Sequence, residues 1–510
     1  MTIPIVTTPA TDSVPTPTTT ALPTTVPGST DSVAAGNGVV GAVTGSSGVI
    51  GNASPILRVT PSSDEAPRYL TREMCQALFA RILELAQGGG ETLVHIDAVW
   101  TGDLRWANNR IISSGDTRDT SVRIIRSING AVADASTNKL DDSALRLALA
   151  TAERTLLYRP VNPEASPMPE AQTYLHPTVW SDATYNLDAH TRADMGAKLV
   201  APAASQGLLA AGYTQVRALT RAIYSTGGMQ AHYNSTEAEY SVTVRNPGKM
   251  GSGWAGRSDY DWKRIDPMGL SDIALKKCVA SANPRAIEPG HYTVIFEPQA
   301  VYDLISPVLN FMDRHSAESY QTPFTLSPGQ SKIGVKMFDE RVSISTDPMD
   351  PECGYIPFDY QGYPYRAAHW VQDGVLTALP YNKNYAITKL GSSEALLNPM
   401  AFRMRGGRST IDDMIASTDR GLLVTRLSDV NIINGQSLLA MGTTRDGVWL
   451  INNGQITASV RNFRFNDSPL FALNSILEIG PAQRVFSQYP AIVPSLKVRD
   501  FNFNSLADAL

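Results

Sequence analysis

The sequence predicts an α+β protein: an N-terminal α+β domain with an antiparallel sheet, followed by a β-rich C-terminal domain. Three observations carry this reading. Helix-period and strand-period segments alternate between residues 66 and 284. From His291 onward the runs are mainly short and strand-like. Asn-Gly, Asp-Gly and Gly-Gly pairs punctuate them at hairpin positions. At 510 residues the chain exceeds the roughly 250–300 residues at which a single core stops growing, so more than one domain is expected.

Residues 1–65 stand apart. MTIPIVTTPATDSVPTPTTTALPTTVPGST is rich in Thr and Pro, small residues and glycines follow, and the first basic residue is Arg58. Such a stretch cannot bury enough apolar surface to offset its ordering entropy and reads as a disordered tail. A glycosylated stalk is the sharper alternative, but the basic and apolar regions of a secretory signal are not found.

The first domain, 66–284, opens with YLTREMCQALFARILELAQGGG. Met74, Leu78, Ile82 and Leu85 recur at helical spacing, and a triple glycine stops the run. ETLVHIDAVW, DLRWANNRIISSG and DTSVRIIRSINGAVADAST read as strands, with Asn129-Gly130 at a hairpin. LDDSALRLALATAERTLLYR is a helix with Asp141 or Asp142 as N-cap and Leu145, Leu149 and Leu156 on one face. Residues 188–212 are rich in Ala and Leu and read as helical. RAIYSTGGMQAHYNSTEAEYSVTVRN follows as a hairpin turning at Gly227-Gly228. GKMGSGWAGRSDYDW reads as a glycine-rich surface loop and MGLSDIALKKCVASAN as a helix.

The second domain, 285–510, supplies the strand candidates HYTVIFEP, KIGVKMFDERVSIST, GYPYRAAHWVQDGVLTALPYN, GLLVTRLSDVNII and DGVWLINNGQITASVRNFRF. Asp373-Gly374 and Asn453-Gly454 are its turns. One helix interrupts the strands. On it Val301, Leu304, Ile305, Val308 and Met312 form an apolar stripe, and His315 is the next position, so His315 is expected on the core face.

Composition narrows the function. A net charge of −5 with no Lys/Arg-rich run argues against a nucleic-acid partner. No stretch approaches ~18 apolar residues, so no membrane span is expected. Cys75, Cys278 and Cys353 lie far apart, which suits a reducing compartment or simple core packing, and a cytoplasmic location is expected. GSGWAG at 251–256 matches G-x-G-x-x-G, but RSDYDWKRIDP after it is no helix start, so a dinucleotide site is not expected. No nucleophile elbow or P-loop is present. No two of the seven histidines fall within one or two helical turns of each other, so no zinc-binding pair is formed locally.

Several segments, in order along the chain, are similar to a known family. They are LRWANNRIISSGDTRDTSVRIIRSINGAVADASTNKLDD (104–142), GSGWAGRS (251–258), EPGHYTVIFEPQAVYDLI (288–305), DPMDPECGYIPFDYQGYPYR (347–366), DGVLTALPYNKNYAITKLG (373–391), and GLLVTRLSDVNI with TTRDGVWLINNGQI (421–456). Together they resemble the TldD/PmbA family of metallopeptidase-complex proteins over residues 68–485. The resemblance implies two kinds of subunit. One carries HExxxH on a helix and a Cys near the C-terminus, which together hold zinc. The other, TldE-like, lacks those ligands and pairs with it around a peptide-holding cavity.

In the favoured register NFMDRH (310–315) occupies the HExxxH position. Asn310 then stands for the first His, Phe311 for the catalytic Glu, and only His315 remains; no cysteine follows Cys353. Phenylalanine cannot act as a general base, and one imidazole does not hold zinc. The resemblance therefore implies a non-catalytic subunit with no cofactor of its own, zinc residing in an HExxxH-bearing partner, and an extended or unfolded peptide as ligand. A peptidase with an unrecognised site and a non-proteolytic peptide-binding homodimer are the alternatives. Trp254, Arg257, Asp359, Arg403, Arg405 and Arg408 are the candidate peptide contacts; a turn-former, a surface loop and a solvated basic cluster are their ordinary explanations.

Overall fold

A computed structural model describes residues 68–87, 89–160 and 168–507. The stretch read as a tail, 1–65, lies outside the described residues. All of the described residues belong to one compact unit, Pro55–Leu510.

The N-terminal half runs α1 (Arg72–Leu85), β1 (Glu91–Ala107), β2 (Arg110–Ile128), β3 (Ala131–Thr137), α2 (Asp142–Leu156), the single turn α3 (Asp182–Tyr185), α4 (Ala189–Ser205), β4 (Leu209–Ser225), β5 (Gln230–Asn246), β6 (Gly251–Asp259) and α5 (Pro267–Ala280). Its six strands form one antiparallel sheet in the order β3-β2-β1-β4-β5-β6. Alternation along β1 sets the two faces. Val94, Ile96, Ala98, Trp100, Leu104 and Trp106 are buried under the helices, while His95, Asp97, Val99, Thr101 and Asp103 are half-buried on the other side. One face is thus core and the other a largely polar wall.

Helix ends follow their caps. Asp141 caps α2 by accepting the Ala144 N–H at 3.0 Å. The stripe expected on α1 holds at Ile82 and Leu85, but Met74 is 40% exposed and Cys75 takes the buried place. The helix predicted over 188–212 is shorter: Gly207 adopts φ +68°, Leu208 donates back to the Ala203 carbonyl, and residues 209–212 enter β4.

The largest correction concerns 248–262. Instead of a surface loop, residues 251–259 form β6, paired with β5 along its whole length. Its glycines have a packing purpose. A Cβ at Gly253 would press into the Ala274 carbonyl and the Cys278 N–H, and one at Gly251 into the Cys278 carbonyl, so α5 rests directly on the strand backbone.

The second half contributes β7 (Gly290–Phe296), α6 (Pro298–Phe311), α7 (Arg314–Ser319) and an eleven-stranded sheet. Within it β7, Arg420–Asn434, Leu439–Asn452, Phe463–Asp467 and Ala491–Leu506 pair in succession, and the last pairs again with β7. This ring leaves those strands no free edge. Asp373-Gly374 and Asn453-Gly454 turn with positive φ, as their residue types require. KIGVKMFDERVSIST is mostly turn, and only Ile344–Thr346 is strand, because Asp339 accepts the Arg341 and Val342 N–H groups through side chain and backbone.

α6 packs its stripe into the main core, with Val301, Leu304, Ile305, Val308 and Met312 all buried. The stripe does not continue to His315. Met312 is extended (φ −74°, ψ 106°), and Asp313 caps a separate helix, α7, by accepting the Ser316 N–H at 2.7 Å. That break resets the helical phase, so His315 is exposed rather than core-facing.

Candidate functional site

The polar wall of the first sheet meets segments 353–365 and 484–490 of the second half. The hairpin at Gly227-Gly228 fixes which side chains stand together on that wall: Arg217 lies opposite Glu237, Gln215 opposite Glu239, and Tyr213 opposite Ser241. Arg217 Nη1 donates to Glu237 Oε2 at 3.1 Å, and the Tyr213 hydroxyl donates to Glu239 Oε2 at 2.9 Å. Farther along, Arg221 pairs with Asp97 at 2.8 Å.

The facing wall is aromatic and hydroxylic. Tyr355 stands between Tyr365 and Tyr489, with ring centroids 6.2 and 5.8 Å away. Arg484 is buried; its Nε donates to the Ser258 carbonyl at 2.6 Å and lies 3.4 Å from Asp259. Between the walls is a partly open cavity of about 50 Å³, lined among others by Glu237, Glu239, Tyr355, Arg484, Ser487 and Gln488. Glu237 keeps about two-fifths of its side chain exposed, 41%, towards the partly open cleft. Burial there pushes its carboxyl above the ordinary range, Arg217 pulls the other way and the Glu239 charge adds to the rise. Burial lowers the Arg484 guanidinium, with Asp259 opposing, and raises the Tyr355 phenol.

A second, half-buried acid adjoins the cleft. On α6, Asp303 accepts from Gln299 Nε2 and from the Leu427 N–H, each at 2.9 Å. Gln299 in turn donates to the Phe486 carbonyl at 3.0 Å and accepts its N–H at 3.1 Å. Phe486 packs edge-on against Tyr213 and Trp254. Burial raises Asp303 to about 6, against the two hydrogen bonds and the Arg426 charge.

The residues singled out from the sequence are dispersed. Trp254 is buried at the seam, donating to Ser241 Oγ at 2.9 Å with the Arg426 guanidinium 4.7 Å above its ring. Arg257 is half-buried and its Nε has no hydrogen-bond partner. Asp359 is buried and accepts the N–H groups of Gln361 and Tyr363, so it forms a turn. Arg403 is paired with Asp350 and Glu352, and Arg405 with Asp373; Arg408 is exposed. Sequence reasoning missed Tyr213, Arg217, Glu237, Glu239, Tyr355, Ser487 and Asp303. The first four were within reach: a turn at Gly227 places residues 217 and 237 opposite each other.

Zinc does not fit the donors present. All seven histidines and all three cysteines fall among the described residues, yet no three His, Cys, Asp or Glu side chains gather there as a metal site. NFMDRH straddles the break between α6 and α7, so it cannot present HExxxH from one helix. The His315 ring lies 6.4 and 5.8 Å from the rings of Tyr320 and Tyr385. Cys353 is buried, with its thiol pushed up to about 12 by desolvation.

Two sheets joined across a polar cleft define the frame with which known proteins can be compared. Residues 289–505 match the PmbA/TldA metallopeptidase C-terminal domain. The whole arrangement is similar to three solved structures, each with a TM-score of 0.72. One, from Thermotoga maritima, is described as a candidate modulator of a DNA gyrase; it is 18% identical and aligned over 84% of this chain and 100% of its own. The second is TldE from Thermococcus kodakarensis, 15% identical over 84% of this chain and 99% of its own. The third, from Bacteroides thetaiotaomicron, is described as a candidate modulator of DNA gyrase and is 16% identical over 85% and 99%. No curated protein sequence matches the chain. Residues 289–505 are thus similar to the C-terminal domain of the PmbA/TldA family, and the likeness to the solved structures extends the shared fold to the N-terminal half. Among the described residues no helix is long and apolar enough to cross a membrane.

Proposed function

We propose that this chain is the non-catalytic, TldE-like subunit of a cytoplasmic zinc metallopeptidase complex, holding extended peptides for an HExxxH-bearing partner subunit. The observation that carries the reading is the pairing of a polar cleft walled by strands with a donor set unfit for zinc. Catalytic zinc needs about three protein ligands and a base beside an open water position, whereas the inward face of α6 is Val301, Leu304, Ile305 and Val308. An extended peptide can lay alternate side chains against the face of a sheet.

Purified alone, the chain is expected to carry far less than one zinc per polypeptide and to leave unfolded casein intact. Mixed with an HExxxH-bearing relative, it should form a stable complex that cleaves casein. Chelator-resistant cleavage by the isolated chain overturns the reading in favour of an unrecognised site.

A further inference from the structure

Acidic side chains outnumber basic ones in the lining of the cleft cavity, although Arg217 and Arg221 act on Glu237 from outside it and Arg257 and Arg264 lie near Arg484. Three carboxylates line it, Glu237, Glu239 and Asp259, with one guanidinium, Arg484. Arg484 answers Asp259, and Arg217 answers Glu237 from the neighbouring strand. Glu239 is left with the neutral hydroxyl of Tyr213 as its partner.

A separate feature of the same cavity is a hydroxyl free to donate or to accept. Ser487 is only 7% exposed and lines the cavity, and its Oγ has no hydrogen-bond partner. A buried hydroxyl without a partner is costly, and such atoms in folded proteins commonly mark a place where something binds. The Tyr355 ring supplies a third attraction, since an aromatic face draws cations. A cavity of about 50 Å³ holds a few waters or one head group, not a whole ligand.

We propose that this cavity is a subsite for a cationic head group of the bound peptide, held by Glu239 and Glu237, the Ser487 hydroxyl and the Tyr355 ring. The proposal rests on the peptide-binding reading above. A lysine or arginine side chain and a free N-terminal amine share the chemistry, and both are strong donors to carboxylate and hydroxyl oxygens. Alternate residues of a strand lie roughly 7 Å apart, so a forked guanidinium serves the two glutamates better than a point charge does.

The test uses the full chain and fluorescent ten-residue peptides, blocked at both ends and identical except for a central Arg, Lys, norleucine or Glu. A fifth peptide carries no basic residue but a free N-terminus. Anisotropy is expected to show the Arg and Lys peptides binding about tenfold more tightly than the norleucine peptide, with the Glu peptide weakest. That ratio should collapse towards one in Glu239→Gln and shrink in Ser487→Ala. If Glu239→Gln does not fold, the wild-type ratio and its decline with added salt decide. A preference confined to the free amine places the peptide's terminus in the cavity and supports the proposal. Equal binding of Arg and norleucine peptides overturns the subsite while leaving peptide binding intact, and no binding by any peptide overturns both.

Discussion

Gly253 and Asp303 show how much single positions govern in this chain. Gly253 lets α5 lie on β6, and a methyl group there would meet backbone that cannot move without shifting the helix. Gly253→Ala is therefore expected to cost about 1–3 kcal/mol, read as a lower midpoint in thermal or urea unfolding; an unchanged midpoint would show that the helix slides freely. Asp303 acts through protonation. Its carboxyl titrates at about 6 when folded, against an ordinary 3.8, so between these values the folded chain binds more protons than the unfolded one. Stability must then fall as pH rises from about 4 to 6 and level off above, and the raised Glu237 carboxyl acts in the same direction. Unfolding midpoints measured across that window should show a shallower slope in Asp303→Asn. The variant's lower absolute stability, from an amide facing the Leu427 N–H, does not affect the comparison of slopes.

Elements divide into those whose signal is local and those set by contact. The α1 and α2 helices, the Asn129-Gly130 and Gly227-Gly228 hairpins and the long strands were legible because period, caps and turn residues are local properties. β6 was not: GSGWAG carries the composition of a loop, and only the approach of α5 explains glycines inside a strand. The break after Phe311 was missed for a related reason. The apolar stripe fits one helix through Met312, and the cap at Asp313 that starts α7 competes with a period that continues across it. The site suffered most, because six side chains chosen one by one cannot reveal a wall built from register, although Arg217 and Glu237 follow once the hairpin is placed. The helix break makes its own prediction. His315→Ala should change stability by no more than about 0.5 kcal/mol, as expected for an exposed position; a loss of 2 kcal/mol or more would restore the core-facing, continuous helix.

At the scale of the molecule, the two sheets hold each other through buried charge as well as apolar contact. Arg484, from the second half, is 7% exposed at its side chain and reaches Asp259 of β6, 2% exposed, while also donating to the carbonyls of Ser258 and Glu352. Desolvation opposes the guanidinium charge here, so the pair is weakly favourable at best when intact, yet breaking it strands a carboxylate in a dry seam. Arg484→Ala is accordingly expected to cost about 3–5 kcal/mol, far more than loss of an exposed pair such as Arg366–Glu394, worth ~0–1 kcal/mol. The damage should concentrate at the seam, so limited proteolysis should cut near 350–365 and 484–490 before it reaches either sheet. The double substitution Arg484→Met with Asp259→Asn removes both charges and keeps much of the volume, and it should recover most of the loss, giving a large coupling energy in a double-mutant cycle. Equal destabilisation by the single and double variants would mean that the cost lies in the lost backbone hydrogen bonds, and the ion pair would then not be what joins the halves.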